Sequence, residues 1–228
     1  MSVHLLSFQG LELIANSVPD FRKEITVVLG DGRPEFATAF TVPECLLVET
    51  SEYFKAACRD GTWLESTSRT IKLAKVEPEI FNAYLLWVHR KDLPTAPSDD
   101  AFELVEDLVR LWPLADRLAD FRLRNAVIDA IIVELNGFTT SHNVFPHDLA
   151  AQVWSATTPG RSIRRLIVDY YAKHIGAAIV KGEVADYHPD FTKYLLVKAI
   201  EVVKNDEENV CPSKRDSCFY HEYESRYE

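Results

Sequence analysis

The sequence predicts an α+β chain dominated by helices: a small strand-bearing domain followed by an all-helical extension. Three observations carry this. The β-branched run Ile25-Thr26-Val27-Val28-Leu29, the turn residues Gly30-Asp31-Gly32 and a second alternating segment together read as a hairpin. One further strand signal, Thr70-Ile71-Lys72-Leu73, follows at a distance. From Pro78 onward, apolar residues recur at three- and four-residue spacing, the period of helices packed on one face.

The elements follow in order. Residues 1–20 form a partly apolar lead-in ending at Pro19, a short helix or strand docked on a neighbour. The return strand runs from Glu35 to Val42. It sets Phe36, Thr38, Phe40 and Val42 on one face and Ala37, Ala39 and Thr41 on the other. Pro43, without an N–H, ends the ladder. Leu46, Leu47, Phe54 and Ala57 suit helical segments broken near Glu49–Ser51, where Thr50 or Ser51 can cap a helix from Glu52 to Arg59. Asp60-Gly61 stops that helix.

Pro78 suits a first helical turn, and Ile80, Phe81, Tyr84, Leu85, Trp87 and Val88 form its stripe. Asp92 to Pro97 is a loop. Asp100 with Glu103 resembles a capping box for the next helix, which Pro113 should kink or restart. A further helix runs from Phe121 to Leu135 and stops at Asn136-Gly137. Helices at about 147–156, 162–180 and 189–204 follow, punctuated by Gly160, Gly182 and Pro189. The last residues are charged and Tyr-rich without apolar period, and read as a flexible tail.

Composition narrows the function classes. With 47% hydrophobic and 26% charged residues the chain reads as an ordinary folded, soluble protein. Its net charge of −10 disfavours bulk nucleic-acid binding, because an acidic surface repels phosphate backbones. Arg161, Arg164 and Arg165 make one basic cluster, read as a solvated helix face. No apolar run approaches the ~18 residues of a membrane span. The N-terminus lacks the basic and apolar regions of a secretory signal. Four cysteines are too few for a disulfide scaffold. Cys45 and Cys58 read as buried free thiols, and the expected compartment is cytosol or nucleus. Cys211 and Cys218 with His221 match no dependable zinc spacing.

Catalytic spacings are missing too. The sequence holds no nucleophile elbow, phosphate-binding loop, dinucleotide fingerprint or zinc-protease helix. His142 and His147 share an expected loop without partners at ligand spacing. The chain is therefore read as a non-enzyme, with no catalytic residues, no metal and no cofactor.

The order of elements from Ile25 to Leu135 resembles the BTB/POZ family. The segments that carry the likeness are Phe40-Thr41-Val42-Pro43-Glu44-Cys45-Leu46-Leu47 and Ser51-Glu52-Tyr53-Phe54-Lys55-Ala56-Ala57-Cys58. They continue with Thr70-Ile71-Lys72-Leu73, the helix around Phe81–Trp87, and the runs Leu114–Leu118 and Leu123–Asp129. The chain looks most like the BTB proteins of filamentous fungi. Ser51-Glu52-Tyr53-Phe54-Lys55-Ala56 is the most specific piece, with Ala56 and Ala57 permitting close helix packing.

The resemblance implies a BTB/POZ-like fold, short strands flanked by helices, over residues 21–135. A lead-in over 1–20, a helical extension over 136–204 and the charged tail over 205–228 complete the division. It also implies a protein-interaction adaptor, one that serves a cullin-type ubiquitin ligase. The family's cullin contact is hydrophobic-x-Glu just after the helix ending near Arg59, and Trp63-Leu64-Glu65 has that form. The alternative is a transcriptional or chromatin regulator acting through BTB-mediated association without its own DNA-binding module. Pro43 and Glu44 stand where many members carry His-Lys or His-Arg near the dimer interface, so homodimerisation is left open.

Overall fold

The computed structural model describes residues 19–30, 37–59, 68–94, 101–137, 147–174, 188–205, 212 and 215–223. The chain is mixed α+β and mostly helical, with eight α-helices and one three-stranded sheet among the described residues. It divides into two compact units, residues 1–77 and 78–228. That division falls inside the 21–135 segment expected to be one domain.

The first unit follows from the alternation of its strands. Strand β1 (Glu24–Leu29) sits between β2 (Thr38–Pro43) and β3 (Thr70–Leu73). The β1–β2 pair is antiparallel, with Val27 opposite Phe40, and the β1–β3 pair is parallel, with Val27 opposite Ile71. Alternate residues therefore share a face: Ile25, Val27, Leu29, Val42, Ile71 and Leu73 are all buried. Pro43 is the last β2 residue in the ladder, opposite Glu24.

Two short helices follow at once, α1 (Glu44–Thr50) and α2 (Glu52–Ala57). Ser51 separates them with extended backbone, and its hydroxyl accepts the Phe54 amide at 3.1 Å, as an N-cap should. Leu47 and Phe54 are fully buried. Ala56 is exposed and Ala57 half-buried, so these positions are less buried than close helix packing would make them. Cys45 and Cys58 are free but half-buried rather than buried. Burial, reinforced by the Glu44 carboxylate, pushes the Cys58 thiol up to about 11, so it stays protonated and unreactive at neutral pH.

The second unit is built from helices: α3 (Pro78–Arg90), α4 (Ala101–Arg117), α5 (Phe121–Gly137), α6 (His147–Ala156), α7 (Ser162–His174) and α8 (Pro189–Asn205). Helix α4 packs on α3, α5 and α6, and α8 packs on α6 and α7. The sequence expects Pro113 to kink or restart α4; the helix does not restart there but runs through it. An interior proline costs about 3 kcal/mol. Burial of Leu111, Trp112, Leu114 and Ala115 around it offsets that cost, since each large apolar side chain contributes roughly 1.5–3 kcal/mol. His147, expected in a loop, opens α6. His142, Asp100 and the 175–180 stretch lie outside the described residues.

The turn between α4 and α5 joins three helices. Ala119 adopts a left-handed φ of 51°. Its N–H donates to the Asp116 carbonyl at 3.1 Å, while the Asp120 N–H donates to that of Ala115 at 2.9 Å. This is a Schellman closure with alanine at the position glycine usually takes. Asp120 then caps α5, one carboxylate oxygen accepting the Leu123 amide at 2.9 Å. Its other oxygen accepts the indole N–H of Trp87, on α3, at 3.1 Å.

Burial pushes the Asp120 carboxyl above its usual range, although both hydrogen bonds pull it down. The native state therefore holds this proton more tightly than the unfolded chain does. Stability falls as pH rises between the ordinary carboxylate value and the raised one; the penalty is complete above that window and vanishes below it. Urea unfolding across this pH range should show the wild type gaining on an Asp120→Asn variant as pH falls. A gap independent of pH would contradict the raised value.

Candidate interaction surface

The end of the chain is fastened to the second unit by a polar network. Residues 217–220 form a 3-10 turn, capped by Asp216, whose carboxylate accepts the Cys218 amide at 2.9 Å. The turn packs on α5 and α7. Tyr220 is fully buried, and its hydroxyl donates to Asp169 at 2.9 Å. Asn125 pairs with the backbone of Glu222 in both directions, each bond 2.9 Å. Residues 215–223 are thus a docked strap, although the sequence assigns 205–228 to a flexible tail. The contacts that dock it are a buried tyrosine, an asparagine clasp and ion pairs, none of which has an apolar period.

Glu222 is the centre of this clasp. Its carboxylate accepts the Ser162 amide at the start of α7 at 2.9 Å, and pairs with Arg124 at 2.7 Å and Arg161 at 3.3 Å. Asp116 meets the same two arginines at 2.8 and 3.2 Å. Two carboxylates thus face two guanidiniums, and Arg124, Asp116 and Glu222 are largely shielded. His221 completes the strap, its Nε2 lying 2.7 Å from Asp129.

The basic cluster is not a solvated face. Only Arg165 of the three arginines is exposed; Arg161 is held in the clasp, and Arg164 is buried. Helix α6 ends with carbonyls that no further turn can satisfy. The Arg164 guanidinium donates to the Trp154 carbonyl at 2.7 Å, the Thr157 hydroxyl at 2.8 Å and the Thr157 carbonyl. It also lies over the Trp154 ring, 4.9 Å from its centroid. Burial draws its pKa below the ordinary arginine value.

Beside this arginine the structure opens a cleft of about 460 Å³ between α7, α8 and the terminal strap. Its wall begins from an aromatic core: Phe191 meets Trp154 edge-on at 4.9 Å and Tyr171 at 5.1 Å. The cleft is mainly apolar, lined by Trp154, Val168, Tyr194, Val197 and Phe219. Tyr194, Val197 and Phe219 are also among the exposed large apolar residues, with Leu196 and Ile200 exposed further round α8. Arg165, Lys198, Asp169 and Glu201 stand among the lining residues.

Trp63, Leu64 and Glu65, the residues expected to contact a cullin, lie outside the described residues, as does Cys211. Cys218 is exposed, and His221 faces Asp129. Among the described residues no group of three or more His, Cys, Asp and Glu side chains could hold a metal, and no helix is long and apolar enough to cross a membrane. The cleft was missed from sequence, although a signal exists. Phe191, Tyr194, Leu195, Leu196, Val197 and Ile200 spread round α8 more widely than one packed face requires. No protein-family model matches the chain, and no curated protein matches it.

Two substitutions test this architecture. Arg164→Met leaves the end of α6 without its donors and should lower stability by about 2 kcal/mol or more in thermal unfolding. Glu222→Ala should cost about 2–3 kcal/mol by leaving the shielded Arg124 and the part-exposed Arg161 with Asp116 alone to pair with. It should also speed hydrogen exchange over 215–223 and the first turn of α7. Unchanged exchange there would show that the clasp does not hold the strap.

Proposed function

We propose that this chain is a protein-interaction adaptor built on a BTB/POZ-like domain. The observation that carries the reading is the apolar cleft of α7, α8 and the strap, with large exposed side chains at its mouth. Contiguous apolar surface of this kind is what monomeric proteins keep for partners. The element order also supports it: a hairpin, a helix pair joined at Ser51, a third strand parallel to the first, then helices. In the more specific form of the proposal, Trp63-Leu64-Glu65 supplies a hydrophobic-x-Glu contact to a cullin-type scaffold. A tryptophan offers large contact area at small entropy cost, which suits a hot spot.

Calorimetric titration of the full chain with a cullin N-terminal domain tests this form. Binding near 1 μM, about −8 kcal/mol, is expected. It should be lost in Trp63→Ala while the circular dichroism spectrum and melting temperature stay unchanged. Absence of binding by the wild type removes the cullin from the proposal and makes another partner the target of the adaptor.

A further inference from the structure

We infer that the α7–α8 cleft receives an acidic amphipathic helix from a partner protein, a deepening that rests on the adaptor reading. The apolar part of the site is built for a narrow ligand. Tyr194 and Val197, three residues apart on α8, line the cleft, and Phe219 faces it from the strap. Such spacing matches the anchors of a helix laid in a groove. The exposed side chains of Tyr194, Val197 and Phe219 together offer on the order of 300 Å². That is enough for two or three anchors of a peptide helix and far short of the roughly 800 Å² per partner of a stable dimer.

Charge selects the occupant. Among the described residues, Arg161, Arg164, Arg165 and Lys198 line the cleft against Asp169 and Glu201. Several of these are already engaged. Lys198 meets Asp169 at 3.2 Å, Tyr220 donates to the same carboxylate, and Arg161 is tied to Asp116 and Glu222. Arg164 spends its hydrogen bonds on the Trp154 and Thr157 carbonyls and the Thr157 hydroxyl, with the Asp190 charge acting on it, and Glu201 is exposed. Arg165 has no carboxylate partner among the described residues. It lies 6.0 Å from the Phe219 ring centroid, and Arg215 lies 4.7 Å from the same centroid.

The exposed aromatic anchor is therefore flanked by two guanidiniums, in a chain whose net charge is −10. A helix with an apolar stripe and carboxylates beside it meets both features at once, and charge-assisted pairs to arginine are the strong ones.

The probe is a phage-displayed library of random peptides of about 16 residues, close to the roughly 25 Å length of α8. It is panned on the purified full chain, and enriched peptides are measured by fluorescence anisotropy. Enrichment of sequences with apolar residues at helical spacing flanked by Asp and Glu is expected. Their affinity should fall at least ~10-fold in Arg165→Glu and in Val197→Asp. Circular dichroism should show both variants folded, since both side chains are exposed in part or whole. Enrichment of basic or uncharged sequences, equal binding by both variants, or no enrichment overturns the inference.

Sedimentation equilibrium supplies the remaining arm. A wild-type dimer that Val197→Asp makes monomeric would assign the cleft to a second copy instead. Cullin titration with Trp63→Ala keeps the two proposals separate. Cullin binding without peptide binding leaves the adaptor and removes the cleft, and the reverse leaves the cleft and removes the cullin.

Discussion

The second unit depends on the buried carboxylate of Asp120. It starts α5 by accepting the Leu123 amide and fixes α3 by accepting the Trp87 indole. The Schellman closure at Ala119 delivers it to that position. A left-handed alanine and a buried acid are each unfavourable alone. Here they are tolerated because one turn ends α4, starts α5 and satisfies an otherwise orphaned indole. The angle at which α5 leaves α4 then decides where Arg124 and Asn125 stand, and with them the binding ground for the end of the chain.

Glu222 repeats the device at long range. Its carboxylate sits at the first turn of α7, where unpaired amides and the helix dipole favour negative charge, and it gathers Arg124 from α5 and Arg161 from the turn before α7. Docking of this segment brings Phe219 to the cleft and buries Tyr220 against Asp169. The cleft is thus made by three parts of the sequence: the end of α6 through Trp154, the facing sides of α7 and α8, and the terminal strap. The same arginine that closes α6 forms part of its wall, so the stability of the helices and the shape of the surface are coupled through Arg164.

Much of the element order was legible before the structure because local chemistry specifies it. The β-branched alternation of Ile25–Leu29, a capping hydroxyl at Thr50 or Ser51, Pro78 at a first turn and the apolar stripes of α3 to α8 all act within a few residues. At Pro113 the sequence left a kink or a restart open, and the helix continues because its neighbours are buried, which no short window contains. The arginine cluster was misread for a similar reason. Arg164 looks like its neighbours in sequence, and only the carbonyls at the end of α6 make it a buried cap.

The sequence by itself determined the α+β class, the hairpin, a cap at Thr50 or Ser51 and the places where the helices start, since these follow from periodicity and backbone preferences. Tertiary structure alone decided that Asp120 bridges α3 and α5, that residues 215–223 are a docked strap, and that Tyr194, Val197 and Phe219 share one cleft. The physical reason is distance along the chain. Arg124 and Glu222 are far apart in sequence, and ion pairs and hydrogen bonds of that span leave no periodic trace. Their partners are chosen by how the helices pack, and packing is a property of the whole unit.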